Sequence, residues 1–380
     1  MKRVQTQVRE DHIKKLEEIS FEFHSLNNVY WDESAYYEFQ LKEIYKLEDA
    51  TNSLFNLCLK AVQHVIDNKL YDRLHIDPNL IPLIERSWNE EEPSFYGRFD
   101  LVYTGSGEPK MLEFNADTPT SLYEAAVVQW YWLQEVAKDQ DQFNSIHEKL
   151  IDYWNGCIEY FGGETVYFTC VRESIEDYTT VEYLRDTAHQ AGLTTKFIYI
   201  DEIGWDDAGK FFVDLDNTEI KNIFKLYPWE WLMGEAFGPN IANDSLKSKW
   251  IEPAWKAILS NKGILPILWE LDPDHPNLLE CYFDSPNGMT DYVKKPIYSR
   301  EGANITIYRN SVETEVSDGE YGEEGYVYQK LQEIPNFDGN YPIIGSWVIG
   351  GESAGMGIRE SRTLITDNLS RFIPHQITQY

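Results

Sequence analysis

The chain has 380 residues, 33 basic against 64 acidic side chains, a formal charge of −31 and 42% hydrophobic content. That length allows one large domain or two to three closely packed subdomains, and the acidic excess repels a phosphate backbone, which argues against nucleic acid as the main partner. No stretch approaches the roughly 18 consecutive apolar residues of a membrane span, and MKRVQTQVREDHIKKLEEIS lacks the apolar centre of a signal peptide, so a cytoplasmic protein with no membrane partner is expected.

The first 75 residues read as helical. In LKEIYKLEDATNSLFNLCLKAVQHVIDNK apolar residues recur at threes and fours for about seven turns, with no proline. From Pro78 the pattern shifts, and FYGRFDLVYTGSGEPKMLEFNAD predicts two alternating strands around a Gly-Ser-Gly turn. SLYEAAVVQWYWLQEVAKD follows as a helix whose Ser or Thr start suits an N-cap. Residues 164 to 200 predict strand, helix, strand: TVYFTCV is a compact apolar run, EDYTTVEYLRDTAHQAG stops at a glycine, and TTKFIYI is a second run. After residue 245 short helices such as WIEPAWKAILSN alternate with strand-like KKPIYS, ANITIY and EGYVYQKL. The expected class is α/β with α+β elements and more than one sheet. The closing RFIPHQITQY has no lipidation or retention signal and is expected to pack or fray.

The predicted hairpin concentrates polar chemistry. With a two-residue turn at Ser106 and Gly107 and Gly105 opposite Glu108, paired positions sum to 213, so Asp100 faces Glu113 and Arg98 faces Asn115. Side chains alternate along a strand and cross-strand partners share a side. One face therefore gathers two carboxylates, an amide and a guanidinium, and the other receives Phe99, Leu101, Leu112 and Phe114. Hard oxygen donors in that density suit Mg²⁺, which keeps phosphate or water for its remaining positions. The plainer alternative is a solvated strand face with a surface ion pair. In VKKPIYSREGANITIY, Lys295 precedes Pro296 at a strand start, and Ser299 to Asn304 make a small-residue turn suited to phosphates.

Cys58, Cys157, Cys170 and Cys281 show no C-x-x-C spacing and read as buried free thiols. The histidines, among them His275 in a proline-rich loop, have no zinc spacing. Trp229 and Trp231 suit either a ligand or the core. Paired acids and abundant aromatics also keep a glycoside hydrolase open.

Taken in order, RFD, LEFNADTPT, ILPILWELDPDHPNLL, YVKKPIYSREGANI and YVYQKL resemble the synthetase portion of the glutathionylspermidine synthase family, across nearly the whole chain. The resemblance implies an ATP-grasp-like fold with an inserted small open-sheet α/β subdomain: residues 1–155 and 245–380 as ligase core, and 160–244 as a substrate-binding part. It implies a carboxylate–amine ligase that uses ATP and Mg²⁺ and passes through an acyl phosphate. Arg98 would stabilise the transferred phosphoryl group, and Asp100, Glu113 and Asn115 would hold magnesium. Thr118 would touch a peptide thiol substrate. Lys262 and Lys295 would contact phosphates, Gly302 would belong to the covering loop, the Gln329, Lys330 and Leu331 backbone would meet adenine, and Arg359 would join the same pocket. The partners implied are a peptide-like carboxylate and an amine, with Glu173, Glu176, Asp177 and Glu230 as candidate receivers of a polyamine. The amidase domain of bifunctional members has no counterpart before the hairpin, so no cysteine is expected to be catalytic. A Mg-ATP-binding protein without turnover is the remaining alternative.

Overall fold

A 28-residue helix, Leu41–Asn68, organises the middle of the molecule. Gln40 and Glu43 close its N-terminus as a capping box, and Leu47, Leu54, Cys58, Ala61 and Val65 form one buried stripe. The computed structural model describes residues 1–25, 29–244, 246–366 and 370–378.

The stripe lies against a five-stranded antiparallel sheet ordered Arg371–Ile373, Glu352–Ser361, Tyr341–Ile349, Tyr96–Val102, Lys110–Asn115. Phe99 and Phe114 stack across the last pair with ring centres 3.9 Å apart, and Phe55 of the helix meets Phe114 edge-on at 6.3 Å. Burying each such ring stabilises the layer by about 2–3 kcal/mol. The back of the hairpin is thereby fixed inward, and its polar side must face the other way.

The hairpin register is the predicted one where it counts. Arg98 pairs with Asn115 and Asp100 with Glu113, but then the ladder slips: Leu101 pairs with Met111 and Val102 with Lys110. Leu112 is the extra residue of a bulge, so Met111 takes the core place expected of Leu112, and Leu112 turns to a cavity wall.

A second five-stranded antiparallel sheet runs Cys281–Phe283, Tyr326–Lys330, Tyr292–Pro296, Thr306–Arg309, Val312–Val316. Lys295 stands near the end of its strand rather than the start. A four-stranded parallel sheet, Lys249–Ile251, Asn222–Lys225, Val166–Thr169, Thr195–Phe197, carries the helix Ile175–Gln190.

Three local expectations are corrected. The first 75 residues are not all helical, because Lys2–Gln5 and Ala35–Gln40 are strands; the latter is central in a three-stranded sheet completed by His375–Thr378. WIEPAWKAILSN holds the end of the strand Lys249–Ile251 and a 3₁₀ turn Ala254–Ile258, since Pro253 interrupts any longer helix. The helix after the hairpin opens with a wide π turn, Glu124–Val128, and no side chain caps it; Ser121 has a φ of 67° and its hydroxyl faces Tyr30 instead. Most of the C-terminal segment packs as strands, and residues 379 and 380 lie outside the described residues.

Candidate active site

The hairpin presents its polar face to two neighbouring cavities of about 140 and 90 Å³ that share Asp100, Glu113, Gly302 and Thr366 as walls. Arg98 grips Asp100 with two hydrogen bonds, Nε to Oδ1 at 2.7 Å and Nη2 to Oδ2 at 3.1 Å, and donates Nη1 to the Thr120 carbonyl at 2.5 Å. Its side chain lies across Gly345, where a Cβ would come within 2.8 Å of Arg98 Cδ, and over the Trp347 ring at 5.8 Å. Glycine at 345 and the flat indole thus aim the guanidinium into the cavity. Asn115 donates Nδ2 to Asp100 Oδ2 at 3.2 Å, so its amide oxygen is the atom with acceptor capacity to spare.

Two lysines oppose these acids. Lys262 Nζ lies 3.0 Å from Glu113 and donates to the Ser299 carbonyl at 2.6 Å. Lys295 donates to Gln329 Oε1 at 2.7 Å and to the carbonyl of the bulged Leu112 at 2.9 Å. Burial alone raises the Glu113 carboxyl, but Lys262, Lys295 and Arg98 outweigh it and hold the group at about 2. Burial pushes the Lys295 ammonium down to about 8, against the pull of Glu113. Glu113 therefore stays ionised throughout the neutral range, while Lys295 sits close to losing its charge.

The smaller cavity has apolar sides, Ile305, Ile307, Ile334 and Ile343, and Gln329, Lys330 and Leu331 line it. The N–H groups of Lys330 and Leu331 are taken by the carbonyls of Glu280 and Asp291, and the Lys330 ammonium lies 3.9 Å from Glu280. Gly302 has a φ of 73°, and a Cβ there would collide with the Thr366 carbonyl. It lines both cavities and a third of about 770 Å³ beside them. The loop at Gly302 is thus the partition between three spaces.

Thr118 and Arg359 also line the larger of the two connected cavities. Thr118 accepts from Arg300 at 3.1 Å, and Arg300 also pairs with Glu230 and covers Trp231 at 5.4 Å. Of the four acids expected to meet an amine, Glu230 is accordingly engaged by a cation and Glu173 is exposed. Glu176 and Asp177, at the start of the helix Ile175–Gln190, are half-buried and close to Arg359, Arg98 and Arg300. Burial and the Glu176 charge raise Asp177 to about 6. Trp229 is core and Trp231 lines the 770 Å³ cavity, so the two tryptophans divide between the expected fates.

Sequence reading placed Arg300 in the Ser299 to Asn304 turn without a role of its own, and did not single out Thr120, Tyr30 or Glu124. An arginine beside the Gly302 turn was a visible signal for the first; the others are brought in from separate segments. Burial raises Cys58 and Cys170 to about 12 and the half-buried Cys157 to about 11, which keeps these thiols protonated. Among the described residues no three His, Cys, Asp or Glu form a metal cage, and no helix is long and apolar enough to cross a membrane.

The donor set fits magnesium bound to a nucleotide rather than a closed metal cage. Asp100 and Glu113 are hard oxygens on the shared wall, the Asn115 amide is a third, and the nearby cations suit phosphate oxygens, which would complete the coordination.

The family model described as glutathionylspermidine synthase preATP-grasp matches residues 3–378. A candidate acid–amine ligase of Haemophilus influenzae is 43% identical over 97% of this chain and 97% of its own. Trypanothione synthetase of Crithidia fasciculata is 30% identical over 82% of this chain and 52% of its own length. The bifunctional glutathionylspermidine synthetase/amidase of Escherichia coli is 28% identical over 90% of this chain and 59% of its own length. The chain thus spans nearly all of the first relative and little more than half of the other two.

Proposed function

The chain belongs to the glutathionylspermidine synthase family of ligases, and from that premise we propose that it uses ATP to join a carboxylate to an amine through an acyl phosphate. The observation that carries this reading is the wall shared by two cavities, where Arg98, Asp100, Glu113 and Asn115 meet Lys262 and Lys295.

In this assignment Asp100, Glu113 and Asn115 hold Mg²⁺, which when bound neutralises phosphate charge and draws electrons from the phosphorus under attack. The isoleucine-lined cavity at Gln329 to Leu331 takes the base. Lys295 and Lys262 hold phosphate oxygens, and Arg98 meets the negative charge that builds on the transferred phosphoryl group. The substrate carboxylate oxygen attacks phosphorus, and the amine nitrogen then attacks the resulting acyl carbon and displaces phosphate. No protein nucleophile takes part, and the work is alignment and charge neutralisation. Thr118 and Arg300 border the acid's place, and Glu176 and Asp177, close to Arg359 and Arg300, are the acids assigned to an amine of the polyamine kind.

Residues 1–155 with 245–380 are assigned to the ligase core and 160–244 to the substrate part, to which the parallel-sheet strand Lys249–Ile251 is added. The relatives named above are synthetases and ligases, which favours this reading over a glycoside hydrolase.

A coupled ADP-release screen of amines against peptide-like acids, including glutathione with spermidine, tests the reading, with mass detection of the new amide. Amine-dependent ADP release with amide formation is expected. Mg-ATP binding by calorimetry without ADP release across the panel would instead identify a binding protein.

A further inference from the structure

One buried acid beside the site has no part in the ligase assignment above. Glu124 is fully buried in the π turn that follows the hairpin. Tyr30 Oη donates to its Oε1 at 2.5 Å and stands 3.1 Å from Ser121 Oγ. Ser121 in turn lines a narrow void of about 10 Å³ behind the site, and the Arg98, Asp100, Arg359 and Thr366 that share this void also line the 140 Å³ cavity. The other oxygen, Glu124 Oε2, has no hydrogen-bond partner among the described residues. An unpaired buried carboxyl oxygen is costly and calls for a reason.

The ligase chemistry supplies one. An alkyl amine arrives as an ammonium, R–NH₃⁺, and leaves as an amide N–H, so two protons depart from nitrogen. The C–N bond forms with the nitrogen lone pair; the acyl C–O bond breaks with its electrons going to phosphate, which takes one of the protons. The other must be lost before attack, because an ammonium has no lone pair.

We propose that Ser121, Tyr30 and Glu124 form a relay that receives this first proton, with Glu124 as its terminus. The ammonium proton passes to Ser121 Oγ, the Ser121 proton to Tyr30 Oη, and the Tyr30 proton to Glu124 Oε1. Serine and tyrosine end as they began, and only the carboxylate gains a proton. This rests on the ligase reading, to which it adds a step.

The surroundings are built for such a store. Burial and the charge of Glu176 push the Glu124 carboxyl up to about 8, against Tyr30 and Arg359. The groups that face it are Tyr30 from the preceding loop, Tyr123 from its own helix, Glu176 from the helix Ile175–Gln190 and Arg359 from the strand Glu352–Ser361; Glu301 and Arg98 face Glu176 in turn. An ammonium in the cavity adds positive charge and favours the ionised, proton-accepting form. Once that charge is consumed, the carboxyl reclaims a proton, and the step is driven forward. Tyr30 itself is held far above neutrality by burial, so it stays a phenol and passes protons without keeping them.

The test is ADP release by the full chain with glutathione as acid and either spermidine or hydroxylamine as nucleophile, across the neutral to alkaline range. Hydroxylamine is already unprotonated at neutral pH and needs no relay. Glu124→Gln and Tyr30→Phe are each expected to lose about 100-fold or more in kcat with spermidine. Both should stay within about threefold of wild type with hydroxylamine, and the alkaline limb near pH 8 should vanish from the spermidine profile. Equal losses with both nucleophiles would reduce Glu124 to a structural anchor and overturn the proposal, as would unchanged spermidine kinetics. Wild type that releases no ADP with either nucleophile counts against the ligase reading. The relay is then judged by infrared difference spectra near neutral pH: a protonated-carboxyl band in wild type that Glu124→Gln lacks supports it, and identical spectra overturn it.

Discussion

Two sets of opposite charges sit within one chain neighbourhood and behave differently. In the interior, Lys225 pairs with Asp117 at 2.7 Å and Lys256 with Glu252 at 3.2 Å, all four side chains fully buried. Every partner there is internal. Asp117 also accepts from the Trp229 N–H at 2.9 Å, Lys225 donates to the Tyr227 carbonyl at 2.9 Å, and Glu252 accepts from the N–H groups of Phe95 and Tyr96. Along the cavity wall, Arg98 with Asp100 and Lys262 with Glu113 have similar spacing, yet each group also borders open volume. Glu113 and Asp117 are only four positions apart. Ion pairing by itself therefore does not mark a site; what marks it is a pair that keeps a face toward a cavity.

The contrast is sharpened first by Asp117→Ala, which strands a buried lysine and should cost about 3–5 kcal/mol in urea unfolding. Removing both partners with Lys225→Met should recover part of that loss. A loss below about 1 kcal/mol for the single change would erase the distinction, since exposed pairs are worth no more. Glu113→Gln should instead show chiefly in catalysis, lowering ADP-release turnover by about 10³-fold with the cooperative urea unfolding transition retained. Arg98→Lys keeps the charge beside Asp100 but loses the two-pronged grip; a fall of about 10²-fold in kcat with a smaller change in ATP affinity is expected. If affinity falls instead, Arg98 is a binding group and not one that meets the transition state.

The smallest effect is a pH dependence. With Lys295 held near 8, ATP binding should weaken as pH rises above 8, because the ammonium is then neutralised. Lys295→Arg should flatten that dependence in calorimetric titration. A flat wild-type profile would remove Lys295 from the phosphate contacts.

Much of the polar cavity wall was legible because it is local. Alternation along two strands and a Gly-Ser-Gly turn set Asp100 opposite Glu113, and the observed ladder has that pairing. The Leu112 bulge was not legible, since it arises where the Lys295 ammonium and the Gln329 amide take the carbonyls of Leu112 and Met111. Asp117 continues the alternation of Glu113 and Asn115 in the sequence, but the strand ends at Asn115 and Lys225 from the parallel sheet claims it. Tyr30 and Glu124 meet across 94 positions, a contact that no spacing rule encodes. The strand Ala35–Gln40 escaped for the same reason, because its parallel partner is near the other end of the chain.

That last pairing sets a timetable. Thr378 reaches the Phe39 carbonyl across 339 positions, so the strand Ala35–Gln40, made early on the ribosome, waits for almost all the rest of the chain before its sheet can close. Contacts so far apart are entropically late and slow to find. In the interval one edge of that strand is open to wrong partners.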